Sequence, residues 1–186
     1  MMKISKATTA TLLSVGLLSL VGCAAPVHGE YTFVSTIDDL AKQSTEIVEV
    51  KIESHRDGKL YPEPFTGDDP ETNPYAGTKA EPPSPEELAS DVVLYDAVVT
   101  DTVAGSARKG EGIEIHQMSN DPDLSYLEDG NTYVLFLLTA EGHPAGIIGG
   151  DQGIYLVDGD RLRPVDKEIG IPLERASLDR LRTNAR

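Results

Sequence analysis

Four histidines, one cysteine and a scatter of serines and acids are the side chains in this sequence with chemistry to offer. The histidines are His28, His55, His116 and His143. None stands in HExxH, and no CxxC or His-x-His pair occurs, so the spacings that gather imidazole or thiolate ligands around a zinc ion are missing. His55 is expected at a strand end, His143 in a loop before Pro144, and His116 on the strand face opposite Ile113 and Ile115. A serine nucleophile wants a sharp elbow or a neighbouring base, and GxSxG does not occur. Ser106, in GSARKG, has the most suggestive surroundings, yet it reads as a turn serine between strands. Asp121, Asp123 and Asp129, with Asn120 and Asn131, are candidate hard-oxygen ligands for extracellular calcium. They lack the spacing and glycine of an EF-hand loop, so a solvated turn is expected first and no metal is assigned. Gly149-Gly150-Asp151-Gln152-Gly153 offers backbone amides to an anion, but Asp151 would oppose one. A bulge or tight turn, where the chain bends, is expected there instead. No catalytic residue and no cofactor is expected.

Cys23 is the only cysteine, so an intramolecular disulfide is impossible and the thiol needs another use. It follows a short cationic stretch, MMKISK, and an apolar run over residues 7–21 broken only by Thr, Ser and Gly. That run suits a secretory signal and is short of the roughly 20 residues of a membrane span. It ends in Leu20-Val21-Gly22-Cys23, which resembles the bacterial lipobox. The resemblance implies transfer of diacylglycerol to the Cys23 sulfur and cleavage between Gly22 and Cys23. Residues 1–22 would then be a removed signal peptide and residues 23–35 a lipidated tether. Two acyl chains anchor stably, each buried CH₂ contributing about 0.8 kcal/mol, whereas one chain binds only marginally.

Charge narrows the partners. The chain has 16 Lys and Arg against 31 Asp and Glu, a net −15. The expected signal peptide holds Lys3 and Lys6 and no acid, which puts residues 23–186 near −17. Such a surface repels phosphates and anionic headgroups, so nucleic acid is not an expected partner. The lipid bilayer, reached through S-diacylglycerol on Cys23, is expected, and an envelope protein is the other candidate.

The remaining length, 36–186, fits one domain. Thr36 reads as the cap of a helix running to about Ser44, with Ile37, Leu40 and Ala41 as its apolar stripe. Val48, Val50 and Ile52 alternate with Glu49, Lys51 and Glu53, the pattern of a half-buried strand over 46–53. Residues 57–90 hold seven of the twelve prolines and many acids, and predict a long, exposed, partly disordered loop. Within it Ser84-Pro85-Glu86-Glu87 has the form of a capping box around one helical turn. Strands are expected over 92–103, around Ile113 and Ile115, and over Tyr133 to Leu138, a continuous apolar run buried on both faces. Asp129-Gly130-Asn131 predicts a turn, Asp158-Gly159 a hairpin after 153–157, and Ser177 the cap of a short helix carrying Leu178 and Leu181.

Five or six short strands with one flanking N-terminal helix and a short C-terminal helix predict a mainly β fold, a small barrel. The order TIDDLAKQSTEIVEVKI, a strand ending in TVAGS, then GIEIHQ, LEDGNTYVLFLL and GGDQGIYLV is similar to small exported domains of Gram-positive bacteria. It also resembles the oligonucleotide/oligosaccharide-binding (OB) barrel of netrin-like modules and tissue metalloproteinase inhibitors, over roughly residues 36–160. The resemblance implies a Gram-positive cell membrane, with the domain on its extracellular face. The cysteine framework of those inhibitors is missing, and Cys23 is assigned to lipid. The expected function is a non-enzymatic, membrane-anchored binding module. Its alternatives are an extracellular enzyme or protease-inhibitor-like protein of the envelope, and a calcium-responsive surface protein.

Overall fold

Tyr133-Val134-Leu135-Phe136-Leu137 is apolar at every position because successive side chains enter two different cores. Tyr133, Leu135 and Leu137 join Val48, Val50, Ile52, Tyr95, Val99, Ile115 and Ile154 on one face. Val134 and Phe136 join Ile47, Val103 and Tyr155 on the other, beneath the two helices. The doubly buried strand is as the sequence predicts from Tyr133 to Leu137, whereas Leu138, expected in the same buried run, is half exposed.

The computed structural model of the chain describes residues 33–119 and 126–184. The lipobox, Cys23, His28 and the acids Asp121 and Asp123 lie outside the described residues. The elements are α1 (Ile37–Gln43), β1 (Glu46–Leu60), β2 (Ser90–Ala104), β3 (Gly112–Met118), β4 (Thr132–Leu138), β5 (Ala145–Ile147), β6 (Ile154–Asp158), β7 (Arg161–Pro164) and α2 (Arg175–Asn184). The protein is mainly β, as expected, but with seven strands rather than five or six. The two additions are short: β5 has three residues and β7 four, too few for periodicity to register.

The strands pair in the order β1-β2-β3-β5-β4-β6-β7, and β1 also pairs with β4. Pairing therefore runs in a circuit, β1 to β2 to β3 to β5 to β4 and back to β1. Every pairing is antiparallel except β3 with β5, which are parallel and meet at only two registers, Ile115 with Ala145 and His116 with Gly146. Three register shifts along β1 and β2 bend that long pair. The hairpin from β6 to β7 forms as predicted but turns through Gly159-Asp160, one residue later than the expected Asp158-Gly159, because Asp158 still pairs with Arg161.

β1 continues to Leu60, beyond the expected end at residue 53, because Ser54 to Leu60 pair with Asp96 to Ser90. Polar side chains hid this half of the strand. The Pro-rich loop consequently starts at residue 61, not 57. Its interior is bonded to itself rather than featureless: Asn73 Nδ2 donates to the Gly67 carbonyl at 2.8 Å, and Tyr75 N–H donates to Asn73 Oδ1 at 3.0 Å. The rings of Phe65 and Tyr75 lie 5.5 Å apart. The capping box forms as predicted, with Ser84 N–H donating to Glu87 and Glu87 N–H to Ser84 Oγ.

α1 begins where its cap predicts: Asp39 N–H donates to Thr36 Oγ1 at 3.1 Å, and Ile37 and Leu40 are buried. α2 starts two residues before the expected cap. Ser177 N–H donates to the Glu174 carbonyl, so Ser177 sits inside the first turn rather than ahead of it. Leu178 and Leu181 face the core as expected. Arg175 and Arg182 fasten the helix by ion pairs to Glu49 and Asp101.

Candidate functional site

His116 stands beside β5, which meets each of its neighbours at only two registers. The parallel pairing of β3 with β5 sets it beside Gly146, where an added Cβ would lie 3.2 Å from the imidazole Cε1. Glycine at 146 lets the ring lie against the backbone. His116 Nδ1 is 3.2 Å from the Pro144 carbonyl. A carbonyl only accepts, so Nδ1 carries the proton in this bond and the neutral ring keeps a lone pair on Nε2. Burial pushes the His116 pKa below the ordinary imidazole value, partly offset by the backbone carbonyls of Pro144 and Ala145.

The ring of His116 lines an open groove of about 490 Å³, within the size range of sites that hold ligands. Leu60, Tyr61, Pro62 and Glu63 form one wall, where β1 runs out into the Pro-rich loop. Leu88 and Ser90 close the same side where the loop returns to β2. The opposite wall is Leu138, the β4–β5 connection with His143 and Pro144, and Ile147 and Ile148. Six large apolar side chains are exposed among the described residues: Phe33, Tyr61, Leu88, Tyr126, Leu138 and Ile169. Tyr61, Leu88 and Leu138 line this one groove, and Leu138 is 50% exposed. Isolated exposed hydrophobes are ordinary, whereas apolar side chains gathered in a concave site mark a binding face. His143 Nε2 approaches Glu63 Oε1 at 3.9 Å across the groove.

The other chemistry-bearing residues do not converge. Ser106 has a buried carboxylate rather than an imidazole or amine as partner: its Oγ donates to Glu46 Oε1 at 2.9 Å and its N–H to the same oxygen at 2.7 Å. Ala107 N–H donates to Glu46 Oε2 at 3.2 Å. Ser106 is a turn serine, as expected, but one clamped by a buried carboxylate. Asp129 is 2.9 Å from His55 Nδ1, and this pair is exposed. Asn120, Asp121 and Asp123 lie outside the described residues, so the calcium candidates are represented by Asp129 and by Asn131, whose Nδ2 donates to Glu128 at 2.8 Å. No group of three or more metal-ligating side chains occurs among the described residues.

The glycine-rich stretch is a buried 3-10 turn over Gly150–Gly153, the tight turn of the two expected alternatives. Gln152 is buried and clamps the start of the domain. Its Oε1 accepts from Val34 N–H at 3.0 Å, and its Nε2 donates to the carbonyls of Val34 at 3.1 Å and Ile169 at 3.0 Å.

No family model, curated protein or solved structure matches the chain. The groove must therefore speak for itself. Sequence reasoning missed it because its walls come from separate segments: the hidden end of β1, the return of the loop, and the short strand β5. The one local signal was Leu138, an apolar residue extending the β4 run past the last buried position.

Proposed function

We propose that this chain is a bacterial surface lipoprotein, held by lipid on Cys23, that works by binding a partner in the cell envelope through the groove beside His116. The observation that carries the binding reading is the concentration of Tyr61, Leu88 and Leu138 in one concavity. Leaving three large apolar side chains in water costs stability without helping the fold, and burial against a partner recovers it at about 25 cal/mol per Å². The lipobox supports the anchor, and its tether enters the domain at Val34, where Gln152 grips it.

In this reading the five-strand circuit is a small OB-like barrel, supported by the return of β4 to β1 and the parallel contact of β3 with β5. Binding rather than turnover is supported by the side chains themselves. Ser106 is committed to Glu46, and His116 reaches the groove beside apolar walls.

The test uses the full chain in a bacterial host. Wild type should fractionate with membranes and show diacylglycerol on Cys23 by intact mass. Cys23→Ser should lose that mass and the retention. Leu138→Asp should remain lipidated, keep its melting temperature and lose its crosslinked envelope partner. A Cys23→Ser chain that stays membrane-bound contradicts the anchor. A Leu138→Asp chain that keeps its partner contradicts the groove.

A further inference from the structure

We infer that the occupant of the groove is an extended protein segment in which apolar residues alternate with Lys or Arg, the apolar side chains filling the groove and the cations facing the acidic loop above it. This rests on the binding reading of the same groove and names the chemistry of its partner.

Charge complementarity makes the choice. Residues 61–89, whose two ends both line the groove, carry seven acids against one lysine, Lys79. Glu63 stands in the wall itself, and Glu86 lies two residues before the lining Leu88. Lys59, the closest basic residue in sequence to that rim, is already paired with Asp91. Their field extends about 8–10 Å at ordinary salt, far enough to cover a segment seated in the groove.

The prolines of the rim bring acceptors without donors. Pro62 and Pro144 contribute carbonyls but no N–H, so a partner that brings donors is favoured beside them. Ammonium and guanidinium groups supply donors and positive charge together. A second copy of the chain is a poor occupant by the same logic: residues 23–186 of each copy carry about −17 and would present acid to acid. An anionic lipid surface is excluded likewise. Alternation suits a lining that is apolar on both sides (Leu60, Leu88, Leu138, Ile147) and carries the exposed acid Glu63, because an extended chain turns successive side chains to opposite sides.

The experiment takes the full chain purified from bacterial membranes in detergent and three fluorescent ten-residue peptides: alternating Lys-Leu, alternating Glu-Leu and alternating Lys-Ser. The Lys-Leu peptide should bind at least tenfold more tightly than either of the others, by fluorescence anisotropy. Raising salt from 50 to 500 mM should weaken it several-fold. Glu63→Gln with Glu86→Gln should weaken it about threefold or more without moving the melting temperature. Leu138→Asp and, as an independent check on folding, Leu88→Asp should each abolish it. Glu-Leu binding as tightly as Lys-Leu, with both lost in Leu138→Asp, overturns the charge assignment while leaving the groove as a binding face. Lys-Leu binding that survives both groove variants reflects loose charge attraction and overturns the proposal. No binding by any peptide, together with an unchanged envelope partner in Leu138→Asp, overturns the groove reading as well.

Discussion

Glu46 is the residue whose neighbourhood is most tightly determined. It is 6% exposed and charged, and its oxygens accept from Ser106 N–H, Ser106 Oγ and Ala107 N–H. A buried carboxylate without such donors would be costly; with them it ties the end of β2 to the start of β1. Gly105 makes this possible, since its φ is +108° and an added Cβ would lie 2.0 Å from Glu46 Oε2. Gly105→Ala should therefore cost at least about 2 kcal/mol in urea unfolding, combining backbone strain with displacement of the carboxylate. Glu46→Gln, which replaces one acceptor oxygen by a donor amide facing donors, should cost about 1–3 kcal/mol. His116 supplies a pH signature. Its folded-state pKa lies below the unfolded value, so on acidification the unfolded chain takes up the proton first. Stability contributed by the neutral ring is complete above about pH 6.5 and declines as pH falls from there toward the folded pKa. Chemical denaturation of wild type and His116→Gln across pH 7.5 to 5 should show a steeper acid loss in wild type. Parallel curves would mean that the ring charges freely in the folded protein.

At the scale of elements, α1, the β4 run, the capping box and the β6–β7 hairpin were legible because each writes its physics locally. Thr36 announces a cap, YVLFL announces two covered faces, and Asp158-Gly159 announces a tight reversal. The second half of β1 was not legible, because Ser54, Arg56 and Asp57 are polar and exposed there and only pairing with β2 makes the segment a strand. β5 was invisible for a different reason: three residues held between β3 and β4 carry no period of their own. The start of α2 was displaced because Ser177 looks like a cap by type, while the helix takes its first turn from Glu174. The Gln152 clamp was equally hidden, since a glutamine in a glycine-rich turn gives no sign that it will bind both backbone groups of a residue 118 positions away. Gln152→Ala should release residues 33 and 34. Hydrogen exchange at the Val34 amide should rise at least tenfold, while exchange in β4 stays unchanged. Equal exchange in both proteins would show that packing, not the amide clamp, holds residues 33 and 34.

At the scale of the whole molecule, the two cores divide the labour. The first fills one side of the strand circuit, and the second seats α1 and α2 on the strands next to the entry of the chain. The groove shares only Ile148 with the core under the helices, and it opens beside the short strand β5, where the acidic loop begins and ends. None of this was readable ahead of the fold, because a site assembled from residues 60–63, 88–90, 116, 138–148 exists only once the long β1–β2 pair closes on β3 and β5. The central claim is that this groove is the working face of a tethered binding protein. The most direct measurement places a photoreactive benzoylphenylalanine at position 138 of the full chain in living cells, with position 160 in the β6–β7 turn as the comparison. The account predicts a discrete crosslinked envelope protein from position 138 and none from position 160. No adduct at 138, or the same adducts from both positions, would contradict it.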